Sequence, residues 1–416
     1  MIIPLLVLAA VFLLVAFRQT AGIKIGIWQI FLAGAAIVVA TGQIPIPAAL
    51  ASVNVQVIAF LFGAFVIGQS LEASGYLAHA TSKIFNRAKS ADALLALMLI
   101  VMGVSSAILM NDTLAIIGTP VVLMLSKEHA INAKPVLLAL AFSVTIGSVL
   151  SPIGNPQNLL ISVSSNVANP FITFLRYLLL PTLINLAAAY FVIKKFYKSS
   201  FHDKALVHRA KDVKDAKLAR LAKLSLSIMV LLVIAKITLA FLNPSLDKMF
   251  DISYISLVAA APIVLFSQRR IEIVRNIDWS TLAFFVGLFI LVQSVWLTNF
   301  FQSAISAIGI NPGSIPVIIV TGVVLSQFIS NVPFAALYSH ILSLASLSSL
   351  QVAALAAGST IAGNLLILGA ASNVIIINNA EKRTKDTITF WEFAKVGIPL
   401  TIINMIVYIL FLSLKL

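Results

Sequence analysis

Apolar stretches long enough to cross a bilayer recur from one end of this chain to the other, near 2–17, 23–41, 54–73, 92–126, 135–168, 171–193, 224–242, 252–267, 279–298, 314–347, 350–379 and 394–414. A hydrocarbon core of roughly 30 Å is spanned by about 20 apolar residues of helix, and in lipid every backbone N–H and C=O must be satisfied within the segment. The pattern therefore restricts the chain to an all-α polytopic membrane fold. Composition agrees: of 416 residues 60% are hydrophobic and 10% charged, with mean hydropathy +1.06, outside the range of soluble domains. The chain has no Cys, which excludes disulfides, thiolate metal sites and cysteine nucleophiles. The first apolar run has no Lys or Arg before it and no small-residue cleavage site, so it is expected to be a retained span.

The net charge of +14 invites a nucleic-acid reading, but the basic residues alternate with the spans. Placing the run "KKFYKSSFHDKALVHRAKDVKDAKLARLAK" (194–223) in the cytoplasm puts all of the 28 Lys and Arg on that side except Arg176, Lys236, Lys248 and Lys415. This is the positive-inside rule, with both termini outside a plasma membrane. The 194–223 run reads as a solvated linker beside anionic lipid head groups, and no nucleic-acid partner is expected.

That orientation makes 92–126 a hairpin, because Lys83 to Lys89 and Lys127 to Lys134 flank it on one side. Its second arm, 113–126, would reach only about 21 Å at 1.5 Å per residue, so a re-entrant hairpin is expected with Asn111, Asp112 and Thr113 at its tip. Irregular backbone at that depth is tolerated only inside protein or beside water. The second half repeats the pattern. "AFLFGAFVIGQSLEASG" (59–75) matches "AFFVGLFILVQSVWLTN" (283–299) without a gap at its Ala-Phe, Gly, Phe and Gln-Ser positions. Equal intervals from Gly103 to Asp112 and from Gly322 to Asn331 pair "NDT" (111–113) with "SNV" (330–332). Because 54–73 and 279–298 cross in opposite directions, the repeat is expected to be inverted, and 314–347 to be a second hairpin opening to the outer side.

Segments 135–168 and 350–379 are too long for one continuous span and carry breakers midway, "SPIGNPQN" and "LGAASN". Proline costs about 3 kcal/mol inside a helix, so such breaks are expected to serve a site. Asn155 before Pro156 reads as a helix N-cap, as do Ser372 and Asn373 in the other half. Half-helix starts aim free N–H groups at a bound group, and unwound carbonyls can coordinate a cation. Two hairpins and two broken helices thus converge, and the candidate substrate- or ion-binding residues are Asn111, Asp112, Thr113, Ser151, Gly154, Asn155, Asn158, Ser330, Asn331, Ser372 and Asn373.

"NDTLAIIGTPVV" followed by "GSVLSPIGNPQNLL" resembles the arsenite-permease family, within the ion-transporter superfamily that includes the divalent anion/sodium symporters and the D-type sodium/proton antiporters. Those symporters carry Ser-Asn-Thr at both tips; here the tips read "NDT" and "SNV". The resemblance implies an elevator. Residues 92–193 and 312–416 form the transport part, which moves against a scaffold of 1–91 and 224–311, with 194–223 as linker. The function it implies is proton-coupled efflux of arsenite or antimonite, a neutral As(OH)3 being held by amides and hydroxyls and not by an Arg clamp. A sodium- or proton-coupled dicarboxylate-type carrier and a sodium/proton antiporter are the alternatives.

Asp112 reads either as a helix cap worth about 1 kcal/mol or as the proton-coupling group. Burial favours its protonated form and nearby N–H groups favour the carboxylate, so its proton can come and go during a cycle. Glu72 reads as an interfacial acid, Lys236 stays unassigned, and the five His lack metal-ligand spacing. No GxxxxGK loop occurs, so the chain is expected to use an ion gradient and no cofactor; the resemblance leaves room for a homodimer and for a cytosolic ATPase subunit as partners. An intramembrane enzyme is disfavoured because Asp112 has no second acid at its depth, and a channel because opposed hairpins suit an occluded site.

Overall fold

A computed structural model describes residues 2–17, 25–165, 167, 169–200, 212–242, 252–300, 311–343, 348–381, 383–384 and 387–414. Among them all regular structure is helical. The first half comprises α1 (Ile3–Phe17), α2 (Ile27–Ala40), α3 (Ile46–Ser52), α4 (Val55–Ala73), α5 (Tyr76–Phe85), α6 (Ala91–Leu109), α7 (Asn111–Glu128), α8 (Ala133–Ser148), α9 (Pro156–Ser164) and α10 (Pro170–Phe196). The second half comprises α11 (Ala216–Leu242), α12 (Ile252–Phe266), α13 (Arg270–Arg275), α14 (Trp279–Trp296), α15 (Ile315–Ile329), α16 (Asn331–Ser343), α17 (Ser349–Ile361), α18 (Ala371–Glu381) and α19 (Phe390–Ser413). Six of the described helices, α4, α6, α10, α11, α14 and α19, are long and apolar enough to cross a membrane.

The expected breaks are present: α8 stops at Ser148 and α9 starts at Pro156, while α17 stops at Ile361 and α18 starts at Ala371. Three details differ. The second arm of the first hairpin is not 113–126 but the whole of α7, 18 residues, because Asn111 and Asp112 are already helical. The linker is shorter than 194–223, since α10 runs on to Phe196 and α11 begins at Ala216, leaving 201–211 outside the described residues. The short helices α3, α5 and α13 fall where no span was expected. Of the second hairpin, 344–347 lies outside the described residues, as do Arg18, Lys24, Lys248, Lys382, Lys385 and Lys415.

Helices α8 and α17 form the centre. Every residue of α8 from Pro135 to Ser148 is buried, and so is every residue of α17 from Val352 to Ile361. Helices buried on every side over these stretches lie inside the bundle, facing neither lipid nor water. Helix α8 packs against α6, α7 and α10, and α17 against α15, α16 and α19. Two ion pairs tie four helix ends at one face: Lys194 to Asp92 and Lys134 to Glu392, each at 2.6 Å. They join the end of α10 to the start of α6, and the start of α8 to the start of α19.

The other end of α10 and α19 belongs to the second hairpin, where Phe174, Leu342, Val352 and Leu412 share one apolar cluster. The open ends of the two hairpins therefore lie with opposite ends of the same two helices. The outer arms also cross over, α7 packing on α18 and α16 on α9. Away from the hairpins, the repeated "AFLFG" and "AFFVG" segments hold close helix contacts. A Cβ on Gly63 would fall 2.5 Å from the Ser256 backbone, and one on Gly287 2.7 Å from that of Phe31. Only glycine lets these backbones approach so closely.

Candidate functional site

Each hairpin turns through a single residue with positive φ, Met110 at φ 66, ψ 141 and Ser330 at φ 69, ψ 159. Non-glycine residues held there cost of order 1–3 kcal/mol and persist where surrounding structure imposes them, often at ligand clamps. The shared turn fixes the register between the halves. Asn111 corresponds to Asn331, so Asp112 faces the position of Val332 and not of Asn331. Counting from Gly103 and Gly322 is off by one, because the second hairpin has one more residue between its glycine and its turn.

The turn residue Met110 precedes the helix, so Asp112 is not its cap. Its backbone N–H donates to Asn111 Oδ1 at 2.9 Å, but its half-buried carboxylate makes no hydrogen bond or ion pair among the described residues. A carboxylate bound neither to a cap nor to a cation is available for other chemistry. Thr113 is buried against Gly68 of α4, where a Cβ would come within 2.7 Å of its methyl group.

The first break is a closed polar network. Asn155 caps α9, its Oδ1 accepting from Asn158 N–H at 2.8 Å ahead of Pro156. Its Nδ2 donates to Ser148 Oγ at 2.9 Å and to Thr360 Oγ1 at 3.2 Å. Asn158 Nδ2 donates to the carbonyls of Ser148 and Ser151 at 3.0 and 3.1 Å, and Thr360 Oγ1 donates to Asn158 Oδ1 at 3.1 Å. Gly154 permits the fold-back, since a Cβ there would lie 2.3 Å from the Ser148 carbonyl. Its own carbonyl accepts from Asn111 N–H at 2.9 Å, fastening the first tip to the first break.

The second break has the same frame with its contacts left open. Ser372 and Asn373 are not caps: α18 begins at Ala371, which places both in the first helical turn. Asn373 Nδ2 donates to Gly363 O at 2.6 Å, as Asn158 does to Ser148. Gln327 of α15 donates to Ala362 O at 2.9 Å, bringing the second hairpin onto this break. Yet Asn373 Oδ1, Asn331 Oδ1, Gln327 Oε1, Ser372 Oγ and Thr145 Oγ1 are buried with no hydrogen-bond partner among the described residues. Thr145 stands at this break, its methyl group 3.2 Å from where a Cβ on Gly363 would be.

Asn111, Ser151, Gly154, Asn155 and Asn158 thus meet in one network, and Asn331, Ser372 and Asn373 lie at the hairpin and break of the other half. Ser330 serves as the turn itself. No hydrogen bond joins the side chains of Asp112 or Thr113 to these groups among the described residues. Sequence reasoning missed Thr145, Ser148, Gln327 and Thr360. The signal was present in "TIGSVLSPIGNPQN" (145–158) against "TIAGNLLILGAASN" (360–373), which match ungapped at Thr, Ile, Leu, Gly and the final Asn.

Paired hairpins and broken helices around a buried polar centre are a frame suited to a carrier, and the family match makes the chain a secondary transporter, not an enzyme. The chain belongs to the citrate transporter family, CitMHS, whose model matches residues 12–353. It is 28% identical over 338 residues to a 46 kDa membrane protein of Mycobacterium leprae, covering 77% of each chain. To the silicon efflux transporter LSI3 of Oryza sativa subsp. japonica it is 25% identical over 439 residues, covering 89% of each. A putative transporter arsB of Dictyostelium discoideum is 24% identical over 146 residues, 35% of this chain and 26% of that one. The fold is similar to that of the YdaH transporter of Alcanivorax borkumensis, with TM-score 0.59 at 13% identity over 99% of this chain and 98% of the other. The family model carries the superfamily half of the resemblance in the motifs and does not single out the arsenite branch.

Proposed function

We propose that this carrier exports a small uncharged hydroxylated oxyacid, arsenite or antimonite as the trihydroxide, in exchange for protons carried by Asp112. The observation behind this reading is the set of buried amide oxygens without donors, Gln327 Oε1, Asn331 Oδ1 and Asn373 Oδ1. Each unpaired buried acceptor costs about 1–3 kcal/mol, a cost that a ligand donating O–H groups relieves. A citrate-like anion brings acceptors instead and calls for Lys or Arg, and the sequence has neither between Asn276 and Glu381. The rice relative, described as a silicon efflux transporter, fits the same chemistry, because dissolved silicon is an uncharged tetrahydroxide.

In this mechanism both hairpins are re-entrant, opening from opposite faces within an inverted repeat. Residues 92–193 and 312–416 slide as an elevator against 1–91 and 224–311, the crossed packing of α7 on α18 and α16 on α9 keeping the moving part in one piece. Solute binds at the tips and breaks, and Asp112, with no competing partner, takes up and releases the proton. A second reading, a sodium- or proton-coupled anion carrier or a sodium/proton antiporter, draws on the family's description and on the same neutral oxygens, which suit Na⁺ as well.

Proteoliposomes loaded with arsenite decide between them. Efflux is expected to follow an imposed proton gradient, to be competed by antimonite and orthosilicic acid but not by citrate, and to lose its gradient dependence in Asp112→Asn. Citrate flux without arsenite flux, or drive by a sodium gradient alone, refutes the proposal.

A further inference from the structure

A cavity of about 170 Å³ with polar and apolar lining lies away from the hairpin tips. Ser339, His340 and Ser343 of α16, Asn54 at the start of α4, and Phe289 and Gln293 of α14 are among the residues that line it. Ser339 stands eight residues beyond Asn331, roughly 12 Å along the helix. The cavity sits at the last turns of α9, α14 and α16 and the first turn of α4, the end of the molecule opposite the Lys194–Asp92 and Lys134–Glu392 pairs. By the distribution of basic residues that end is the outer one.

Its chemistry is uncharged and two-handed. The lining contains no Asp, Glu, Lys or Arg, and its hydroxyl, amide and imidazole groups both donate and accept. Ser339 is only 5% exposed, and its Oγ has no hydrogen-bond partner among the described residues. The His340 ring packs against that of Trp296, at 5.0 Å between centroids and 30° between planes. Ser339 and Ser343, one turn apart on α16, share the face toward the cavity.

We propose that this cavity is an outer station for a small uncharged polyhydroxyl solute, which on leaving the tips is held among α16, α4 and α14 before release. The inference rests on the reading that the carrier moves such solutes. A solute here bridges a hairpin arm of the moving part to helices of the scaffold, so its occupancy couples release to the relative position of the two.

The natural absence of Cys allows a direct test in the full-length protein. Ser339→Cys, with Ser343→Cys as the alternative should the first fold poorly, is placed in right-side-out vesicles and labelled with a membrane-impermeant thiol reagent. Asn111→Cys at the tip is labelled in parallel. Orthosilicic acid and boric acid are the neutral probes, and citrate the anionic one. Labelling of Ser339→Cys from outside is expected to slow about tenfold when the neutral probe occupies about nine-tenths of sites, and not at all with citrate. Adding Gln293→Ala is expected to raise the half-protecting concentration at Ser339→Cys and leave that at Asn111→Cys unchanged. If orthosilicic acid protects Asn111→Cys but not Ser339→Cys, the station is refuted and the reading of the tips survives. If citrate alone protects Asn111→Cys, the reading on which both rest is overturned.

Discussion

Asn155→Ala is the substitution whose cost can be worked out most fully from the geometry. Its Oδ1 caps α9 through Asn158 N–H, and its Nδ2 donates to Ser148 Oγ and Thr360 Oγ1. Loss of the cap costs about 1 kcal/mol, and each buried side-chain hydrogen bond contributes about 1 kcal/mol. Ser148 and Thr360 keep other partners, the Thr145 carbonyl and Asn158 Oδ1, so no hydroxyl is stranded outright. The sum is about 3 kcal/mol. At roughly 2–4 °C per kcal/mol for chains of 150–250 residues, and less for a longer one, this corresponds to a fall of about 5–10 °C in apparent Tm. Thermal unfolding in detergent, followed by tryptophan fluorescence, measures it. Thr360→Val removes the same link from the other side, so the double variant is expected to lose about 1 kcal/mol less than the sum of the singles. Wild-type Tm in Asn155→Ala with transport abolished would refute this account and make Asn155 a pure ligand group. Strict additivity with Thr360→Val would show that the bridge between the two breaks carries no energy.

Asp112→Asn, by contrast, breaks no hydrogen bond among the described residues, and its Tm is expected to stay within about 2 °C of wild type while proton-driven transport is lost; a large drop in Tm would give Asp112 a structural role. Gly147→Ala would place a Cβ 2.1 Å from the Gly103 carbonyl, so it is expected to reduce folded yield in size-exclusion profiles, whereas Gly42→Ala, with no atom within 4 Å but φ +69, costs only about 1 kcal/mol of backbone strain. Single cysteines at Lys89 and Lys127 are expected to label from one side of the membrane, and at Gly313 and Ser348 from the other; labelling of Lys89 and Lys127 from opposite sides breaks the hairpin assignment. Asp215, outside the spans, accepts from Leu218 N–H and lies 3.4 Å from Arg269, and these hold its carboxyl below its ordinary value. A group lowered on folding adds stability above its unfolded value that is lost as pH falls through its folded one. Wild type is therefore expected to lose more Tm than Asp215→Asn between pH 5 and 3 (about one unit either side of an ordinary Asp), and equal losses would discount the contact.

The hairpins and broken helices were legible because their signals are local and chemical. Basic flanks, two prolines in "SPIGNPQN" and an Asn-Pro cap act within a few residues, and each appears where it was read. The register of the tips was not legible from glycine spacing, since it depends on a positive-φ turn at Met110 and Ser330, residue types that announce no such conformation. Thr360 and Thr145 escaped for another reason. Their meaning comes from crossing between halves, Thr360 reaching the first break and Thr145 the second, and a helix-interior threonine looks the same whether it faces lipid, core or a site.

That crossing also sets a timetable for biogenesis. Asn155 and its partner Thr360 are 205 residues apart in the chain, and synthesis at roughly 5–20 residues per second separates their emergence by about 10–40 seconds. Throughout that interval the first broken helix sits in or beside the membrane with Asn155 and Asn158 lacking the hydroxyl that joins them. The first hairpin likewise waits for α18 to cover α7. Until the second half arrives, Asn155 lacks its Thr360 partner and α7 lacks the cover of α18, so the first half reaches its final packing only after synthesis has passed both.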